Sequence, residues 1–177
     1  MADAYPITQD YLKSILHYDP ETGVWTWRWR VDMQQRWNTR WANKTAGCTN
    51  ADGYIMIGIS IGKKKFHFYA HRLAFLYMEG KIPPEVDHEA RKRDDCRWAK
   101  LRSATHGQNN YNKLAQKNNI SGYKGVWWHK KRNKWVAEIK SDRKSRKLLF
   151  NSISDAIDAR RRMAEKYHGT FAHRDHD

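Results

Sequence analysis

The sequence predicts an α+β protein built in two parts, and three observations carry that reading. Short runs of β-branched and aromatic residues, separated by turn residues, alternate with stretches whose apolar residues recur at helical spacing. A polar stretch without apolar periodicity, residues 113–120 (KLAQKNNI), reads as a linker. Beyond it come three strand-like runs and one long helical run, within a length that suits a small separate core. The division expected is therefore residues 1–112, a linker at 113–120, and a second domain at 121–177.

The elements follow in order. Residues 8–17 place Tyr11, Leu12, Ile15 and Leu16 on one helical stripe, with Thr8 as N-cap. Asp19-Pro20-Glu21-Thr22-Gly23 is a turn leading into a strand at Val24–Trp29. Residues 30–50 show no period and are expected as a loop, with Arg36, Arg40 and Lys44 near phosphate. Tyr54–Ile59 and Lys64–Tyr69, joined through Gly62, read as a hairpin. Ala70–Glu79 is apolar at Leu73, Leu76 and Tyr77 and stops at Gly80, which marks a helix. Short strands are expected near Val86 and at Leu101–Ala104, then a polar helix from Thr105. After the linker, strands are expected at Tyr123–Trp128, Lys134–Lys140 and Lys147–Phe150. A helix over Ser154–Tyr167 follows, with Ile157, Ala164 and Tyr167 inward. Within Lys134–Lys140, Trp135, Ala137 and Ile139 share the helix-facing side. At least one of Trp127 and Trp128 is expected in the core.

Charge points to the partner. The chain carries 34 Lys and Arg against 19 acidic residues, a net charge of +15. Residues 113–177 hold 17 basic and 7 acidic residues, so the excess is concentrated there. Such a field draws polyanions, and nucleic acid is the expected partner. No stretch nears the roughly 18 apolar residues of a membrane span. The opening lacks a signal-peptide pattern, so a cytoplasmic protein is expected. Cys48 and Cys96 lie far apart with no CxxC, which argues for free thiols and against a structural zinc.

The residues best suited to chemistry are Asp87 and His88, with Asn109 further along in Gly107-Gln108-Asn109-Asn110. Hydrolysis of a phosphodiester needs an activated water and a neutralised leaving oxygen. An imidazole suits the first task. A hard cation on a carboxylate and an amide oxygen suits the second. An Asp-His pair alone is a common surface feature, so its surroundings decide.

Residues 71–112 resemble the HNH homing endonucleases of phages and mobile introns. The shared features are His71-Arg72-Leu73-Ala74, Val86-Asp87-His88, Arg97-Trp98 before Leu101-Arg102, and Gln108-Asn109-Asn110. Upstream, Tyr18 to Trp27 resembles the opening of such proteins. The resemblance implies a ββα-metal fold (His-Me finger). In it His88 is the general base, and Asp87 and Asn109 hold one divalent ion, Mg²⁺ with Mn²⁺ as a substitute. His71, Lys100 and Arg102 stand as active-site support; His71 is equally readable as fixing the start of its helix. Lys100 departs from the family, which has an asparagine there bracing the loop behind the histidine, and lysine cannot accept a hydrogen bond. The charged run Glu89–Arg93 replaces the family's Asn-Gly turn, and Arg91, Lys92, Arg93 and Arg102 are candidates to grip phosphate. His106 is expected to face solvent or phosphate.

Residues 121–171 resemble the AP2 DNA-binding domain, through Ser121–Val126, Lys134–Lys140 and the helix from Ala156 to Gly169. This resemblance implies a three-stranded antiparallel sheet in the major groove of double-stranded DNA, backed by the helix. Carried over position by position, Lys124, Trp127, His129, Glu138, Lys140 and Lys147 face DNA. Several are arginine in the plant domains, and lysine gives up the bidentate grip on guanine. Three functions stay open at this point. They are a metal-dependent DNA endonuclease, a DNA-binding regulator with a disabled HNH fold, and an RNA-binding basic protein. Against the last, nothing resembles RNP1 or GXXG.

Overall fold

The computed structural model describes residues 6–116, 118–142 and 144–172. Its contacts divide the chain into two compact units, one ending at Ser103 and the other starting at Ala104. Among the described residues, no helix is long and apolar enough to cross a membrane.

The first unit opens with helix α1 (Gln9–Ile15), whose cap Thr8 accepts from the Tyr11 amide at 3.3 Å. The helix is shorter than its apolar stripe. Leu16 turns to extended backbone and begins strand β1 (Leu16–Tyr18), paired antiparallel with β2 (Trp25–Trp27). Between them Asp19 organises the turn: its carboxylate accepts from the Glu21 amide at 2.9 Å and the Thr22 hydroxyl at 2.7 Å. The expected loop at 30–50 contains a helix, α2 (Gln35–Trp41), and a short strand, β3 (Cys48–Thr49). No apolar stripe announces α2. The residue it buries is Asn38, whose amide bridges the backbone N–H of Arg30 at 2.9 Å and its C=O at 2.7 Å.

Strands β4 (Ile55–Ile61) and β5 (Lys64–Tyr69) form the expected hairpin, with β3 on the other side of β4. Helix α3 (Ala70–Glu79) follows at once and ends at Gly80 in the left-handed conformation. Strands β6 (Glu85–His88) and β7 (Leu101–Ala104) form a two-stranded sheet. One core binds these pieces, running from Ile7 and Leu12 through Trp25, Ile57, Leu73 and Phe75 to Val86 and Leu101. Tyr18 and Trp25 stack at 4.7 Å within it.

Gly23 is where this unit tolerates no side chain. Its φ is +74°, and a Cβ there would sit 2.5 Å from the backbone of both Cys96 and Arg97. Gly23→Ala is therefore expected to destabilise the protein by about 2 kcal/mol or more, read as a lower urea midpoint.

The second unit begins with helix α4 (His106–Asn112), and among the described residues no helix or strand intervenes before strand β8 (Val126–His129). Strands β9 (Lys134–Ser141) and β10 (Lys144–Phe150) complete a three-stranded antiparallel sheet in the order β10-β9-β8. Helix α5 (Ile153–His168) covers one face. The alternation along β9 is as read: Ala137 and Ile139 are buried, and Trp135 packs beside them against Ala156, Ala159, Met163 and Ala164. Ile157 and Tyr167 are only partly buried. The small and flexible residues Ala156, Ala159 and Met163 form the contact stripe instead, which lets helix and sheet approach closely. Neither tryptophan of β8 is in the core, contrary to expectation: Trp127 is 36% exposed and Trp128 39%. Val126 takes the inward place, and Trp128 meets Trp135 edge to face at 5.2 Å.

Candidate active site

Strand β6 carries Asp87 and His88, and every residue from Val86 to His88 is buried. Arg72, in the first turn of α3, fixes the approach to the strand by donating to the carbonyls of Pro83 at 3.3 Å and Pro84 at 3.2 Å. After His88 the chain turns sharply. The Arg91 amide donates to the His88 carbonyl at 2.8 Å, and Arg91 has φ +60°. That left-handed position is the one an Asn-Gly turn accommodates at lower cost. The Lys100 carbonyl accepts from the Glu89 amide at 3.0 Å. Thus the backbone at Lys100 ties down the residue after His88.

The Asp87 carboxylate is gripped by Arg102 on β7. Nε donates to Oδ2 at 2.7 Å and the terminal nitrogen lies 2.6 Å from the same oxygen. The Asp87 side chain is 5% exposed and that of Arg102 20%, so a buried anion is answered by a cation. Such a site is chemically fit for a positive ligand, and the guanidinium stands where positive charge is wanted. Among the described residues no group of three His, Cys, Asp or Glu side chains is gathered. A divalent ion held by one carboxylate and one amide would keep several waters, as Mg²⁺ commonly does.

His88 sits in an aromatic cluster drawn from three other segments. His71 on α3 meets it edge to face at 4.7 Å, and Tyr54, just before β4, lies 5.8 Å from it. Tyr69 stacks on His71 at 5.4 Å, and the Arg93 guanidinium lies over Tyr54 at 5.1 Å while donating to the Asp52 carbonyl at 2.7 Å. Burial holds the His88 imidazole below its ordinary value of 6.5, against the opposing pull of Asp87 and Asp95. Burial drives His71 down to about 3, helped by the nearby charges of His88 and Arg72. A neutral His88 is the form a general base requires. Of the two roles expected for His71, contact with the other histidine is the one its ring makes. Its Nδ1 finds no hydrogen-bond partner among the described residues.

A pH dependence of stability follows. Both histidines are harder to protonate folded than unfolded, so below about pH 6.5 the unfolded chain binds more protons. Their contribution is fully present above about 6.5 and is lost as pH falls toward the folded values, for His71 about 3. Urea midpoints are expected to be lower near pH 5 than near pH 7, and His71→Leu should flatten that difference.

Asn109 lies on α4, in the second unit. Its amide N–H donates to the Thr105 carbonyl at 3.0 Å. His106 is exposed on the first turn of the same helix. Of the six residues expected to face DNA, five lie on the sheet face away from α5, and four of these are linked by contacts. Trp127 stacks on His129 at 5.5 Å and donates to Glu138 at 3.2 Å, while Lys147 lies 3.7 Å from Glu138 and 5.8 Å over the Trp127 ring. These contacts, with Ser145 donating to Glu138 at 2.8 Å, hold the Glu138 carboxyl below its usual range despite its partial burial. Lys140 shares that face by strand alternation. Lys124 is placed differently, with its ammonium on the last carbonyls of α4. The stretch 113–116 and 118–120 lines a groove of about 730 Å³ with Trp127, Trp128 and Lys140.

Sequence reasoning missed Tyr54 and Tyr69 as neighbours of the histidines. The signal was present in the hairpin: Met56 pairs with Tyr69, which brings the chain just before β4 alongside the start of α3.

Residues 68–111 match the HNH endonuclease family. The matched segment runs from Phe68 on β5, through α3 and β6, into α4, and holds Asp87, His88 and Asn109. No curated protein matches the chain. Among solved structures, one described as DNA binding and cleavage by the HNH homing endonuclease I-HmuI is similar at 19% identity and a TM-score of 0.44. That likeness covers 77% of this chain and 72% of the other. The HNH endonuclease match lies in residues 68–111, 44 of the chain's 177 residues, and it is this segment that supports an endonuclease.

Proposed function

We propose that the protein hydrolyses phosphodiester bonds of double-stranded DNA with one divalent metal ion, Mg²⁺ or Mn²⁺. The observation that carries this reading is His88, buried and kept neutral beside an ion-paired Asp87, within the matched segment. His88 takes a proton from the attacking water. Asp87 and Asn109 are the residues that would hold the metal, which when bound neutralises charge on the phosphate and on the leaving 3′ oxygen. Arg91, Lys92 and Arg93, in the loop after His88, are the residues that would meet neighbouring phosphates.

The second unit is proposed as the DNA reader, in the manner of an AP2 domain, with residues 113–120 as the functional boundary. Its support is the antiparallel sheet backed by one helix and the Trp127, His129, Glu138, Lys140 and Lys147 face. The +15 charge supplies the attraction for phosphate.

One observation favours a second reading, a DNA-binding protein whose nuclease site is silent: Arg102 already occupies the carboxylate a metal needs. Supercoiled plasmid treated with the protein and Mg²⁺ or Mn²⁺ decides between them. Nicked or linear product that EDTA abolishes and added metal restores supports the nuclease. An electrophoretic shift weakened by salt, with no cleavage under either metal, supports the silent site.

A further inference from the structure

Helix α4 is a poor helix by sequence. It has seven residues, HGQNNYN, with one glycine and three asparagines. Such a segment is too short and too weak in propensity to hold together alone. Its N-terminus is secured by a capping box: the Thr105 hydroxyl accepts from the Gln108 amide at 3.2 Å, and the Gln108 side chain accepts from the Thr105 amide at 2.8 Å. A short helix also leaves its last carbonyls without internal partners. Here they are met from the C-terminal sheet's own leader segment.

The Lys124 ammonium donates to the carbonyls of Asn110 at 2.6 Å, Tyr111 at 3.1 Å and Lys113 at 2.6 Å. Three donors on one cation meet three acceptors at the negative end of the helix. One position away, the Tyr111 ring lies flat on His168, the last residue of α5, at 3.7 Å with 3° between the planes. His168 is fixed in turn, its Nε2 donating to the Lys140 carbonyl of β9 at 3.0 Å. Backbone of the central sheet strand, end of the backing helix, and end of α4 are thus joined through three side chains of one unit.

We propose that Lys124, Tyr111 and His168 are positioning residues for the nuclease: the C-terminal unit clamps α4 and thereby sets Asn109 for its part in cleavage. The inference rests on Asn109 acting in the nuclease, as proposed above. It assigns Lys124 to the helix and not to DNA. It also implies that the sheet unit does more than bind substrate, since the helix carrying a site residue depends on it.

The test uses the full chain with Lys124→Met, Lys124→Arg and Tyr111→Ala, read by amide hydrogen exchange, DNA affinity and single-turnover cleavage. Exchange over 106–112 should rise about tenfold or more in Lys124→Met and Tyr111→Ala, with strands 134–141 unchanged. Cleavage at saturating DNA should fall about ten- to a hundredfold, with affinity held within about twofold. Lys124→Arg, which keeps several donors, should recover most of the rate. The slope of log affinity against log salt should not change in Lys124→Met, whereas a lost phosphate contact would lower it by about 1. Unchanged exchange at 106–112 overturns the clamp. Raised exchange with an unchanged cleavage rate overturns the positioning role, and so does a lower salt slope with an unchanged rate. If the unaltered protein cleaves nothing, the nuclease reading has failed, and the exchange result alone decides the clamp.

Discussion

His88→Ala is expected to lower cleavage by about a hundred- to ten-thousandfold while leaving DNA binding close to that of the unaltered protein. The size follows from removing a positioned general base. The separation from binding follows from burial. His88 is packed against His71 and Tyr54, and the exposed basic residues that would meet phosphate lie elsewhere. The loss should show as a slower rate at saturating DNA and not as weaker affinity, because a buried ring contributes little to the electrostatic attraction that dominates binding. Its low proton affinity adds a second signature. Burial holds His88 below 6.5, so cleavage should persist at mildly acidic pH, where an exposed histidine would already be half protonated.

Asp87→Ala is expected to end metal-dependent cleavage and, unlike His88→Ala, to destabilise the fold substantially. Removing the carboxylate leaves the Arg102 guanidinium mostly buried without the anion it grips, a change that costs about 3 kcal/mol in comparable buried pairs. Asp87→Asn separates the two effects. It keeps the volume and an acceptor oxygen, so stability should drop less, while the charge a divalent ion requires is gone. Circular dichroism in urea measures the first quantity and plasmid cleavage the second. Equal cleavage by Asp87→Asn and the unaltered protein would remove Asp87 from the metal site.

Much of the fold was legible because local signals and tertiary packing agree. Helix α3 has the bounds its stripe and Gly80 imply, and the β4–β5 hairpin pairs as its alternation implies. Helix α2 was not legible. It buries an asparagine that ties down neighbouring backbone, so no apolar period marks it, and Gln34 gives it no side-chain cap. In the candidate site, Asp87 and His88 could be picked out only with the flanking motifs. Their partners are set by long-range register: Arg102 is fifteen residues away from Asp87 and Tyr54 comes from the start of a hairpin. Lys124 is a different case: its place in a familiar pattern points to DNA, while the structure also sets its ammonium on the carbonyls of Asn110 and Lys113 at the end of a weak helix, a contact no local pattern announces.

The most direct test of the central claim, that β6 carries the hydrolytic chemistry, is a single-turnover plasmid assay. The unaltered protein, His88→Ala and Asp87→Ala are compared in parallel with Mn²⁺, each first shown to bind DNA. The expected result is nicked or linear product from the unaltered protein alone. Cleavage by either variant at the unaltered rate would contradict the account and place the chemistry away from β6.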